Sequence, residues 1–117
     1  MPIKWIEHKG KQILYVDYRM LSPKKTMELI YEAAEISRKS EGGVLVVSNF
    51  EKVAITCQIM EEAKVLGKEV FKDKTAKSAV LGVTGMKRIL LSIYCQFTKD
   101  KVVAFGSLEK AVDYLVK

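Results

Sequence analysis

The sequence predicts an α/β domain, a mixed five-stranded sheet carrying four helices in the order β-β-α-β-α-β-α-β-α. Three observations carry this. Two short alternating segments open the chain around a turn. A continuous β-branched run, Val44-Leu45-Val46-Val47, follows the first helical pattern. From there strand-like and helix-like segments alternate to the end. Alternation of this kind implies parallel strands joined by right-handed crossovers, with the opening hairpin adding one antiparallel strand.

Taken in order, Ile3 to Glu7 and Gln12 to Tyr18 mix apolar and polar residues with a period of two, and His8-Lys9-Gly10-Lys11 between them reads as a hairpin turn. Ser22-Pro23 reads as an N-cap followed by proline in the first turn of a helix that runs to Lys39, with Leu29, Ile30, Ala33 and Ile36 on its buried face. Gly42-Gly43 stops that helix. The run Val44 to Val47 then has the content of a strand buried on both faces, which places it at the centre of the sheet.

Ile59, Ala63, Leu66 and Val70 recur at helical spacing behind Thr56, a candidate cap, with Glu61-Glu62 in an early turn. Ser78 to Val83 is the next apolar strand and Thr84-Gly85 the turn after it. Ile89, Leu90, Ile93, Tyr94 and Phe97 give the third helix a broad apolar face. Lys101 to Phe105 is the last strand, and Ser107 caps a closing helix expected to bury Leu108, Ala111, Val112 and Leu115.

Composition bounds the function. The chain has 117 residues, 49% hydrophobic and 29% charged, which suits one globular domain over 1–117 and argues against disorder or a repeat fibre. No apolar run approaches the roughly 20 residues that span a bilayer, and charges interrupt the N-terminus where a signal peptide needs an apolar core. No transmembrane segment and a cytoplasmic location are therefore expected. The formal net charge of +6 would suit an anionic partner, but most lysines alternate with glutamates along helical stretches, as in Glu61-Glu62-Ala63-Lys64. Specific nucleic-acid binding is not expected.

Catalytic and metal chemistry find little support. The one histidine, His8, lies in the hairpin turn and reads as a surface residue without a neighbouring nucleophile. Cys57 and Cys95 are isolated within apolar stretches and are expected to be reduced and buried. One histidine and two separated cysteines do not make a zinc set, and the adjacent Glu61 and Glu62 diverge on a helix surface. No catalytic residue, no metal and no cofactor are expected.

Binding chemistry has more to stand on. Gly82-Val83-Thr84-Gly85-Met86-Lys87-Arg88 leads from a strand into a helix start, where free backbone N–H groups and two cations could hold a phosphate or carboxylate; the same sequence also reads as a structural turn without P-loop spacing. In open α/β sheets ligands sit at the carboxyl ends of the strands. The candidate ligand residues are therefore Ser48, Asn49, Thr84, Gly85, Lys87 and Arg88, with Phe50 beside them, although Ser48 and Asn49 equally suit turn chemistry. Trp5, Tyr15, Tyr18, Tyr31 and Phe50 could line a cavity or simply fill the core.

The element order, with Val44-Leu45-Val46-Val47-Ser48 and Ala79-Val80-Leu81-Gly82-Val83-Thr84-Gly85-Met86-Lys87-Arg88-Ile89-Leu90-Leu91, resembles the STAS-like domains related to bacterial anti-sigma factor antagonists, over nearly the whole chain. It looks closest to the small single-domain STAS-like or CRAL-TRIO-like branch. The resemblance implies a non-enzymatic regulatory or protein-interaction module, with a protein partner in a signalling pathway. The alternative is a binder of a small anionic or lipid-like molecule, and a homodimer is compatible with either. Antagonists of this kind are switched by phosphorylation of a serine in an Asp-Ser-Ser/Thr-Gly stretch opening the second helix. Ala54-Ile55-Thr56-Cys57 stands there in this chain, so Thr56 is the candidate phospho-acceptor, without the acidic residue or the glycine.

Overall fold

The opening segments form β1 (Ile3–His8) and β2 (Lys11–Asp17), an antiparallel pair that sets Ile3 opposite Val16 and His8 opposite Lys11. The computed structural model describes residues 2–117. Every later strand joins on the far side of β2 and runs parallel to it: β3 (Val44–Asn49), β4 (Thr75–Leu81) and β5 (Val102–Phe105), in the spatial order β1-β2-β3-β4-β5. The expected mixed five-stranded sheet is present, and β3 is its centre.

The connections are α1 (Pro23–Lys39), α2 (Cys57–Leu66) and α3 (Met86–Thr98), and α4 (Leu108–Val116) closes the chain. Without a break, α2 passes into a π-helical segment (Gly67–Phe71) and a last turn (Lys72–Lys74). Because each new strand is added on the same side, right-handed crossovers bring α1, α2 and α3 to one face of the sheet. The opposite face is left to α4.

Each face has its own core, as a two-residue period requires. Toward the three crossover helices point Leu14 and Val16 of β2 with Val44 and Val46 of β3, packed by Leu29, Ile30 and Ala33 of α1 and by Ile59 and Leu66 of α2. On the other face Ile13, Val47, Ala79 and Leu81 meet Ala111, Val112 and Leu115 of α4.

The predicted caps hold. Ser22 Oγ accepts from the Lys25 N–H, Thr56 Oγ1 from that of Ile59 and Ser107 Oγ from that of Lys110. Other expectations need correction. β4 starts at Thr75 rather than Ser78: its first turns are polar because Lys77 reaches out to the carbonyl oxygens of Tyr114 and Lys117 and anchors the end of α4. Leu108 is largely exposed, since it opens α4 ahead of the packed stripe Ala111, Val112 and Leu115.

Both cysteines are free, but Cys57 is exposed at the first residue of α2 and Cys95 only partly covered, so neither is a core thiol. Nor is His8 an idle surface group. Its Nε2 lies 2.7 Å from Asp113 Oδ1 on α4, because the hairpin turn abuts that helix. His8, with Lys9 behind it, holds the Asp113 carboxyl below the usual carboxylate range.

Since α4 is the one helix on its face among the described residues, that face depends on few side chains. Leu115, 1% exposed, is the largest of the three apolar residues on the helix's packed stripe. Leu115→Ala is expected to cost about 2–5 kcal/mol in urea unfolding followed by circular dichroism, whereas Leu108→Ala should stay within about 0.5 kcal/mol of the parent.

Candidate functional site

The third helix does not bury the apolar face its sequence offers. Leu90, Leu91 and Tyr94 turn inward, while Met86, Ile89, Ile93 and Phe97 are 44–69% exposed, and α3 packs mainly on α2 rather than on the strands. Beneath it lies a cavity of about 140 Å³. That is close to the size of an engineered apolar cavity that takes up benzene.

The strand register builds the floor. Val16, Ser48 and Val80 form one row across β2, β3 and β4, and Val46, Ser78 and Val102 the next across β3, β4 and β5. Side chains two apart on a strand share a face, so all six point at the cavity. Tyr18, following β2, closes one wall with its ring stacked on Phe50 at 4.7 Å between centroids and 4° between planes. Ile59 and Ala63 of α2 complete the apolar lining beside Ile30 and Ala33 of α1.

Polar groups border this lining, and two are charged. Lys87 of α3 donates from Nζ to the Phe50 carbonyl oxygen at 2.8 Å. Asp100, 7% exposed, follows the end of α3. Its Oδ2 accepts from the Tyr94 hydroxyl at 3.1 Å, its N–H donates to Thr98 Oγ1 at 3.1 Å, and Thr98 Oγ1 donates to the Tyr94 carbonyl at 2.8 Å. Burial pushes the Asp100 carboxyl above the usual carboxylate range, and burial first, then the neighbouring Asp100, pushes the Tyr94 phenol up as well. Tyr18 is raised by burial alone.

The π-helical segment sets how α2 meets α3. At Gly67 an added Cβ would lie inside contact distance of the Tyr94 hydroxyl and 2.8 Å from Thr98 Cγ2, so only glycine lets the α2 backbone come this close to the Tyr94–Asp100 pair. Wide turns of this kind recur at functional sites.

Of the residues singled out in the sequence, Ser48 and Lys87 reach the cavity, as do Phe50 and Tyr18. Asn49, the next residue along β3, faces the α4 side, where its Nδ2 donates to the Tyr15 hydroxyl and its Oδ1 accepts from the Glu51 N–H. Thr84, Gly85 and Arg88 are exposed around the start of α3. There the N–H groups of Lys87 and Arg88 already donate to the carbonyl oxygens of Thr84 and Gly85. Gly82 serves the turn, with φ +73° and a backbone so near Glu51 that a Cβ would fall 2.5 Å from its nitrogen. Thr56 caps α2 through the oxygen a phosphate would occupy. Trp5 and Tyr31 are half exposed and Tyr15 belongs to the α4 side.

The six ligand candidates therefore do not converge. A sheet ordered 1-2-3-4-5 has no reversal of winding, so no crevice opens between diverging crossovers at the carboxyl ends. Ser78, Leu90, Tyr94 and Asp100 carry the cavity as much as Ser48 does, and sequence reasoning assigned them no site role. The serines interrupting apolar strands were the one signal available.

Among solved structures, the chain is similar to the crystal structure of an uncharacterised protein of the DUF3478 family with a SpoIIAA-like fold from Shewanella loihica PV-4. The match has a TM-score of 0.70 at 14% sequence identity and covers 97% of this chain and 91% of that one. No family model matches the sequence, and no curated protein matches it. The fold is thus the SpoIIAA-like, STAS-like fold of the anti-sigma factor antagonists. Among the described residues, no helix is long and apolar enough to cross a membrane.

The raised Asp100 carboxyl has a defined sign. A folded-state value above the ordinary 3.8 means the folded protein binds this proton more tightly, so stability is lost as pH rises through the folded value. Asp100→Asn keeps an acceptor for Tyr94 and removes the buried charge. It should melt above the parent at pH 7, with the gap closing below pH 3.8, in paired thermal melts.

Proposed function

We propose that the protein is a non-enzymatic binding module that holds a small, mainly apolar molecule in the cavity beneath α3. One observation carries this reading: an apolar pocket of about 140 Å³, partly open to solvent, within the crossover-helix layer. While it is empty its apolar walls stay in contact with water, an unfavourable exposure of about 25 cal/mol per Å² of apolar surface. A resident ligand would remove that exposure.

The non-enzymatic reading rests on the lack of converging acid, base and nucleophile. His8 is engaged with Asp113 on the opposite face from the cavity, Cys57 is at an exposed helix start, and Asp100 is held by Tyr94. The STAS-like fold is consistent with it.

Toluene is a suitable first probe, since it matches the cavity in size. At a hundred times its dissociation constant a ligand of the native state adds about 2.7 kcal/mol of stability, hence a melting-temperature rise of several degrees. The rise should vanish in Ala63→Leu, which fills the void from α2, while that variant alone melts no lower than the parent. A wild-type protein that shows no rise with toluene or other ring-sized hydrocarbons refutes the proposal.

A second reading, a protein-interaction module, is favoured by the outer stripe of α3. Met86, Ile89, Ile93 and Phe97 lie three or four residues apart and exposed, the ammonium groups of Lys64 and Lys68 sit 4.8 and 4.9 Å from the Phe97 ring centre, and α3 carries no acidic residue. Such a surface fits an acidic partner segment with an apolar face, and disfavours a second copy, which would oppose like charges. A photocrosslinker at Ile89 should capture one partner through an acidic segment, and Ile93→Glu should abolish that capture without lowering the melting temperature; adducts at unrelated, non-acidic segments would refute this reading.

A further inference from the structure

We propose that the molecule held in the cavity bears a neutral hydrogen-bonding group, a hydroxyl or carbonyl, on its ring-sized apolar body, and that Tyr18, Ser48 and Ser78 read it. This rests on the cavity being a ligand site. The three residues form a diagonal across the sheet. Val16 pairs with Ser48 and Val46 with Ser78, and Tyr18 stands one step beyond Val16 on the same face, so each hydroxyl-bearing residue is displaced by two positions on the next strand. All three line the void.

Their hydroxyls are unengaged. Among the described residues, none of the three has a side-chain hydrogen-bond partner, although Tyr18 is 3% and Ser78 9% exposed. Among the described residues the buried side-chain oxygens without a partner are those of Thr26 and Ser37, so the three hydroxyls keep accessible surface inside the pocket and can exchange water for a ligand group. The other polar side chains of the lining are different: Lys87 is spent on the Phe50 carbonyl, Tyr94 on Asp100 and Thr75 on the Phe71 carbonyl. Three free hydroxyls in a line amid valines thus leave donors and acceptors for something inside the void.

The group they meet is neutral. A charged head in this lining would lose much of its hydration, a cost of several kcal/mol. Lys87 donates to a neutral carbonyl and keeps its charge, so a cationic head would be repelled by it, while the buried Asp100 would repel a carboxylate. Burial also keeps the Tyr18 phenol protonated, as a donor. A hydroxyl or carbonyl loses little on entry if it finds Tyr18 or a serine.

Phenol and toluene, nearly equal in size and differing in the hydroxyl, separate the possibilities. With the full chain, titrations followed by amide and methyl NMR shifts should give phenol at least about tenfold tighter binding than toluene. In Tyr18→Phe, and in the Ser48→Ala/Ser78→Ala pair, that preference should shrink to about unity with toluene binding retained, which shows that the cavity is intact. Benzoate should bind more weakly than phenol. Toluene bound as tightly as phenol by the wild type, or a phenol preference unchanged by the variants, overturns the inference while leaving the apolar site standing. Binding of neither compound overturns the site itself.

Discussion

Every connection after β2 is a right-handed crossover added on one side of the sheet, and the rest of the architecture depends on that. With strands in the order β1-β2-β3-β4-β5, α1, α2 and α3 must share one face. The central strand β3 is apolar on both sides, so the other face needs cover too, and α4, which follows β5, supplies it. The two faces are consequently built differently: one by three helices, the other by nine residues of α4 fixed through Leu115, the His8–Asp113 contact and Lys77.

The three-helix face is where packing is incomplete. α1 and α2 bring Leu29, Ile30, Ala33 and Ile59 against β2 and β3, but α3 divides its apolar residues between an inward set, Leu90, Leu91 and Tyr94, and an outward set, Ile89, Ile93 and Phe97. The Gly67 contact draws α3 onto α2, and the Tyr94–Asp100 hydrogen bond ties it toward β5. A void over β3 and β4 results. Cavity and exposed stripe are thus two consequences of one placement, that of α3.

The phospho-switch of the anti-sigma factor antagonists requires an exposed hydroxyl at the start of the second helix. Here that position, Thr56, accepts the Ile59 N–H as an N-cap, and no acidic residue or glycine shapes a loop around it. Ile55 and Ile59, on either side of Thr56, line the pocket on the crossover face, so the start of the second helix borders that pocket.

Sequence alone determined the strands and helices, their order, the centrality of Val44 to Val47 and three of the helix caps. These are encoded locally, in periods of two and 3.6 and in single capping hydroxyls. It also marked Ser48, Lys87, Phe50 and Tyr18, which meet at the cavity. It could not separate Ser48 from Asn49, because adjacent strand residues face opposite sides and only the covering helices decide which side holds a void. Nor could it show that Ile89, Ile93 and Phe97 face solvent while Leu90 and Tyr94 do not, since an apolar stripe gives a helix's amphipathicity and not its rotation about its axis. That rotation, and with it the cavity, the Tyr94–Asp100 pair and the diagonal of Tyr18, Ser48 and Ser78, was decided by tertiary packing, which brings together residues up to 86 positions apart in the chain.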